Sequence, residues 1–145
     1  MTDDEIWTFV SDAHTGIMTT LRGDGMPVSL PLWFACLDRR IYIRTLGKKL
    51  RRIANDPRAS FLVESGERWV DLKAVHFTGI AEIIDLDETM ARRFRAEIDR
   101  KYAASRTATA DMPNDTAQHY AAGMGIVRFT PDDRILNWDN HKLLA

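Results

Sequence analysis

Lys48 and Lys49 follow Gly47 directly after an alternating run, Ile41-Tyr42-Ile43-Arg44-Thr45, and open a basic segment that Pro57 ends. A strand that passes through a glycine into a helix aims partnerless backbone N–H groups, the positive end of the helix dipole and two ammonium groups at one point. The chemistry of such a point is anion capture, and a phosphate is the natural occupant. A solvated basic face is the competing account, because Lys and Arg runs are common on helices. Two lysines at the unfavourable end of a dipole need a counter-anion, which favours the ligand. Tyr42 and Arg44 would share one strand face beside it.

Two further segments could take part. Val28 to Cys36 reads as a strand but contains Pro31, which cannot donate to a ladder, so the sheet must open there or end in a bulged edge. An opened sheet would let a flat heteroaromatic ligand use the neighbouring backbone, with Leu32, Trp33 and Phe34 as apolar wall. Trp138-Asp139-Asn140-His141-Lys142 ends the chain either as a tail docked by one indole or as a lid, with Trp138 stacked on a bound ring and Lys142 or His141 reaching a polar group. Asp71 and Lys73, two apart, read as a strand-face ion pair rather than an acid/base dyad. His14, His76, His119 and His141 are scattered, no Cys-x-x-Cys occurs, and neither a nucleophile elbow, a dinucleotide fingerprint nor a P-loop is present. An enzyme with so few side-chain catalysts takes its reactivity from a cofactor.

The elements that must position these residues follow from periodicity. Thr2-Asp3-Asp4-Glu5 has capping-box spacing and opens a helix with Ile6, Phe9, Val10 and Ala13 on one face. Ile17 to Leu21, Val28 to Leu37 and Ile41 to Thr45, joined by Arg22-Gly23-Asp24-Gly25 and by Asp38-Arg39, predict an antiparallel meander. Leu50, Ile53 and Ala54 form the apolar face of the basic helix. Arg58 to Glu64 and a long run from Trp69 to Ile84, bent at Gly79, are two more strands. Asp85-Leu86-Asp87-Glu88 predicts a second capping box, before a helix with Met90, Phe94, Ile98 and Tyr102 every four residues. Ala103 to Asn114 is loop-like and, with a short helix from Thr116 to Ala122, could form a flap up to Gly123. Ile126 to Thr130 and Arg134 to Trp138 are the last strands. The expected architecture is α+β, an antiparallel six- or seven-stranded closed or split β-barrel with flanking helices, as one domain over residues 1–145.

Composition sets the outer limits. The 20 basic and 21 acidic residues nearly cancel, so nothing global draws this protein to nucleic acid or to a membrane surface, and any anion site is local. The acidic N-terminus carries no signal-peptide pattern and no long apolar run occurs, so the expected location is the cytoplasm. The single cysteine, Cys36, sits in an apolar strand pattern and reads as core.

Taken together, Ile41 to Thr45 through Asn55-Asp56-Pro57-Arg58-Ala59, the preceding Pro31-Leu32-Trp33, and Val75-His76-Phe77-Thr78-Gly79-Ile80-Ala81-Glu82 resemble the pyridoxamine 5'-phosphate oxidase-like family of FMN-binding split β-barrels. The resemblance implies a homodimer with FMN in grooves at the subunit interface. It assigns the phosphate to Lys48 and Lys49, the ribityl chain to Tyr42, Ile43 and Arg44, and the ring to Pro31, Leu32 and Trp33. Lys73 matches a polar position on the fifth strand, and Trp138 with Lys142 would cap the partner's cofactor. Gly47 stands where a hydroxyl residue often assists the phosphate. The chain lacks the C-terminal region that holds substrate phosphate in the vitamin B6 oxidases, so the implied activity is an oxidoreductase passing hydride between a reduced carrier and a small organic acceptor. Related members bind the deazaflavin coenzyme F-420 or haem, which leaves a deazaflavin reductase, a haem protein with a histidine ligand, or a non-enzymatic flavin-binding module as alternatives.

Overall fold

The computed structural model describes residues 1–115 and 123–145; the helix expected from Thr116 to Ala122, and with it part of the expected flap, lies outside the described residues. Among the described residues three helices, α1 (Asp3–Asp12), α2 (Lys48–Asn55) and α3 (Glu88–Tyr102), accompany seven strands: β1 (Gly16–Leu21), β2 (Pro27–Leu32), β3 (Ala35–Leu37), β4 (Arg40–Thr45), β5 (Arg58–Ser65), β6 (Lys73–Ile84) and β7 (Gly125–Asp139). All pairings are antiparallel, in the spatial order β2-β1-β5-β6-β7-β4-β3.

The ends of that order, β2 and β3, are consecutive in the chain and separated only by Trp33 and Phe34. One strand-like run is thereby shared between both margins of the sheet, and the sheet curls into a split barrel of the α+β class. The run read from Val28 to Leu37 as one strand is therefore two, because Trp33 and Phe34 leave the β1 margin for the β4 margin. Alternation fills the interior: Met18, Phe61 and Phe77 occupy one register row and are 5% exposed or less, with Ile41, Ile43, Val75, Val127 and Phe129 beside them. Ile6 and Val10 of α1 and Ile53 of α2 join the same core, while Phe94 of α3 packs outside the barrel against Ala35 and Tyr42.

Local signals explain most boundaries. Thr2 accepts from the Glu5 amide and Glu5 returns a bond to the Thr2 amide, a complete capping box. The second expected box is displaced: Asp87, not Asp85, caps α3 by accepting from the Met90 amide. The long strand starts at Lys73 rather than Trp69, since Trp69–Asp71 turns as a 3-10 helix, so Asp71 and Lys73 do not share a strand. Ion pairs divide them as well, with Arg68 on Asp71, against which the His141 imidazole also lies, and Lys73 on Asp139. The expected bend at Gly79 is present as a register shift between Phe77 and Gly79, where a side chain would be driven into the Thr130 carbonyl of β7. Opposite it, Asp132 to Arg134 bulge from β7 without ending it, which merges the two expected last strands into one.

Candidate functional site

α2 begins without a side-chain cap for its first amides among the described residues. Gly47 takes φ 65° and ψ −128°, offers no side chain as a cap, and a Cβ there would meet nothing within 4 Å. No acidic residue lies in the first turn. Arg44, Lys48, Lys49, Arg51 and Arg52 place five positive charges within nine residues, and none makes an ion pair among the described residues. This contrasts with Arg22, Arg58, Arg93, Arg100 and Arg128, each held by a carboxylate at 3.0 Å or less.

Beside this helix the barrel wall has a small recess of about 10 Å³ between β1, β2, β4 and α2. Its polar lining is Thr20, Thr45, Lys49 and Arg52; Leu30 and Leu32 form one wall, and Met18 and Ile53, both nearly fully buried, close it toward the core. Arg52 donates from Nε to Thr20 Oγ1 at 2.8 Å. β3 pairs only with Arg40 to Tyr42, whereas β4 runs on to Thr45, so Ile43 to Thr45 keep one backbone edge without a strand partner. The recess, the free edge of β4 at Thr45 and two of the five cations, Lys49 and Arg52, therefore coincide.

The pleat separates residues that the sequence grouped. Leu32 faces the recess while Pro31 lies on the opposite face, level with Ile17. Trp33, 39% exposed, is stacked on Tyr102 at 4.4 Å and 5°, so one of its faces is already covered. Tyr42 is 3% exposed beneath Phe94 and Ile43 is 1% exposed in the barrel core, so of that trio only the Arg44 side chain reaches solvent. Neither Pro31-Leu32-Trp33 nor Tyr42-Ile43-Arg44 can present three side chains to one ligand; Tyr42 and Ile43 could contribute backbone alone.

Lys73, Trp138 and Lys142 lie elsewhere. Thr45 pairs with Gly125 at one end of β7 and Lys73 with Asp139 at the other end of the same strand. Trp138 is part of β7 opposite Ala74, and the chain after it is docked rather than loose: Asn140, 7% exposed, donates to the Trp69 carbonyl at 2.6 Å. Lys142 grips Glu5 at 2.7 and 2.9 Å, and that hydrogen bond, aided by one from the Thr2 amide, holds the Glu5 carboxyl down at about 2. The fold of the single chain does not bring this group to Lys48 and Lys49. His14 lies against Thr15 and Ser105 and His141 against Asp71, while His119 is outside the described residues.

Three polar residues line the recess that the sequence reading did not single out. Arg52 stands three positions after Lys49, on the same helical face, a signal that was available. Thr45 ends a predicted strand, and Thr20 comes from a distant one; only the fold places them together.

A family model described as pyridoxamine 5'-phosphate oxidase matches residues 2–133. No curated protein matches the sequence. Among solved structures, a conserved hypothetical protein from Mycobacterium tuberculosis is 29% identical with a TM-score of 0.81, over 100% of this chain and 89% of that one. A FAD-binding protein from Mesorhizobium loti is 16% identical, TM-score 0.71, over 94% of each chain. A haem storage protein from Vibrio cholerae is 13% identical, TM-score 0.67, over 92% of each. The latter two likenesses are of fold alone. With the family model covering nearly the whole split barrel, the chain belongs to the pyridoxamine 5'-phosphate oxidase family.

Proposed function

We propose that this protein is a homodimeric flavoprotein that holds FMN at the barrel split and works as an oxidoreductase on a small organic substrate. The observation that carries the reading is the set of five cations from Arg44 to Arg52 that make no ion pair among the described residues, carried at and beside a helix start without a side-chain cap, with Lys49 and Arg52 lining the recess. A phosphate there would neutralise Lys48 and Lys49 and accept from the first amides of α2. Leu30 and Leu32 offer an apolar wall, and the free edge of β4 offers backbone donors and acceptors for a polar ring edge. Bound flavin would supply hydride chemistry between a reduced carrier and the acceptor; the chain's own residues bind, orient and shield it. The FAD-binding neighbour of the same fold supports a flavin as the ligand.

A second copy of the chain supports the reading from another side. Pro31, Ile17, Leu62, His76 and Leu136 form one register row across five strands on the outward face, apolar but for the histidine, and all keep solvent exposure. The helices pack into the barrel core or over β3 and β4, not on this row. Self-association through this face would cover it and could deliver Trp138 or Lys142 to the partner's split.

The test is the small molecule that the purified protein releases on denaturation. Mass spectrometry should identify FMN; haem or coenzyme F-420 would replace the reading, and haem would also show a Soret band. Oxidation of reduced nicotinamide with quinone-like acceptors should then proceed, and absence of any turnover would reduce the protein to a flavin-binding module.

A further inference from the structure

We infer that the open face of Trp33 is the seat of the substrate's ring: a flat, neutral aromatic carrying a hydroxyl or carbonyl oxygen, which Ser105 and His14 meet at the rim. This deepens the flavin reading above and rests on it for the neighbouring cofactor; the platform itself is built by one chain.

Trp33 stands at the barrel break and directly follows Leu32, a wall of the recess. Three tryptophans are exposed, Trp33 at 39%, Trp138 at 47% and Trp69 at 60%. Neither Trp69 nor Trp138 meets another ring among the described residues, whereas Trp33 lies flat on Tyr102, 4.4 Å away and 5° from parallel. Tyr102 is fully buried and pinned: its hydroxyl accepts from the Phe34 amide at 3.0 Å and donates to the His14 carbonyl at 2.8 Å. An indole backed in this way holds one face covered and the other open in a fixed plane. A second ring can stack on it without first ordering the side chain.

His14 and Ser105 set the polar edge. The His14 ring stands upright against the stack, 84° to Trp33 at 5.7 Å and 80° to Tyr102 at 5.0 Å. Its Nδ1 lies 3.1 Å from Thr15 Oγ1 and its Nε2 3.3 Å from the exposed Ser105 Oγ. Either tautomer leaves Ser105 with capacity for a ligand. When it accepts from Nε2–H it can donate to a carbonyl, and when it donates to Nε2 it can accept from a hydroxyl. Lys101, the cation packed with this cluster, is turned inward, donating to the Phe34 carbonyl at 2.9 Å and lying 3.6 Å over the Phe34 ring. The rim therefore offers hydrogen bonds rather than that charge, which selects a neutral ring.

Binding is titrated through the fluorescence of 2-naphthol, with naphthalene, which lacks the oxygen, and decahydro-2-naphthol, which lacks the flat ring, as competitors. The proteins are wild type, Trp33→Leu, Trp33→Phe and Ser105→Ala, freed of small molecules and checked for unchanged thermal unfolding. Wild type should bind 2-naphthol about 3- to 10-fold tighter than either competitor, the scale of one stacked pair or one hydrogen bond. Trp33→Leu should weaken 2-naphthol by ~10-fold and Trp33→Phe by less. Ser105→Ala should bring 2-naphthol down to the affinity of naphthalene and leave naphthalene unchanged. Should Trp33→Leu fail to fold, Trp33→Phe and Ser105→Ala decide. No binding to wild type overturns the proposal, as do equal affinities for 2-naphthol and its saturated counterpart, or unchanged binding in the Trp33 variants. FMN should leave 2-naphthol bound; competitive displacement by FMN would make the face a seat for the flavin ring and also overturns the proposal. If the protein binds no FMN, the flavin reading fails alone and the titrations without FMN still decide the platform.

Discussion

The Tyr102 hydroxyl accepts from the Phe34 amide at 3.0 Å and donates to the His14 carbonyl at 2.8 Å, so the last residue of α3 clips the break between β2 and β3 to the approach to β1. The same ring carries Trp33 in a parallel stack. Where the sheet splits, backbone groups lose their ladder partners, and here side chains from a helix replace them.

Tyr102→Phe keeps the ring and the stack but leaves the buried Phe34 amide without its acceptor. Loss of such a partner costs about 1–3 kcal/mol, which urea unfolding should register. Unchanged stability would show that the break needs no clip.

Lys101 neighbours this clip, donating to the Phe34 carbonyl at 2.9 Å and lying 3.6 Å over the Phe34 ring centre. Burial lowers its ammonium from 10.5 to about 8. Between those values the unfolded chain holds the proton and the folded one has released it, so native stability should rise as pH climbs above 8 and level off toward 10.5. Chemical denaturation from pH 7.5 to about 9.5 should show this rise in wild type and a flatter profile in Lys101→Met. A falling profile in wild type would contradict the assignment.

Replacing Lys48 and Lys49 together by Ala should weaken FMN binding by about 10- to 100-fold, since both side chains are wholly or partly exposed and act at reduced strength. Fold stability should stay within about 0.5 kcal/mol, because neither lysine makes an ion pair among the described residues. Retained cofactor in the double variant would move the phosphate elsewhere.

Leu136 is 50% exposed at the end of the outward apolar row. Leu136→Glu should leave the protomer folded and weaken self-association by at least ~100-fold, as an unpaired charge in an apolar interface does. Sedimentation velocity would show the shift to monomer, and an unaltered dimer would place the interface on another face.

What residue order determined by itself is what nearby residues decide among themselves. Thr2 with Glu5 caps α1 because the partners lie three positions apart, Pro57 ends α2 because proline cannot continue a helix, and alternation from Ile41 to Thr45 settles which side chains enter the core. The cationic helix start after Gly47 was legible for the same reason. Tertiary structure alone decided three other matters. It broke the run at Trp33 and Phe34, because closing a barrel forces one strand to change partners, and it folded Lys142 onto Glu5, 137 positions away. It also assembled the recess, since Thr20 and Arg52 meet only when β1 and α2 pack together. Local spacing reports helical and strand periods over a few residues; which distant side chains share a cavity depends on how the sheet curls, and that is set by packing of the whole core.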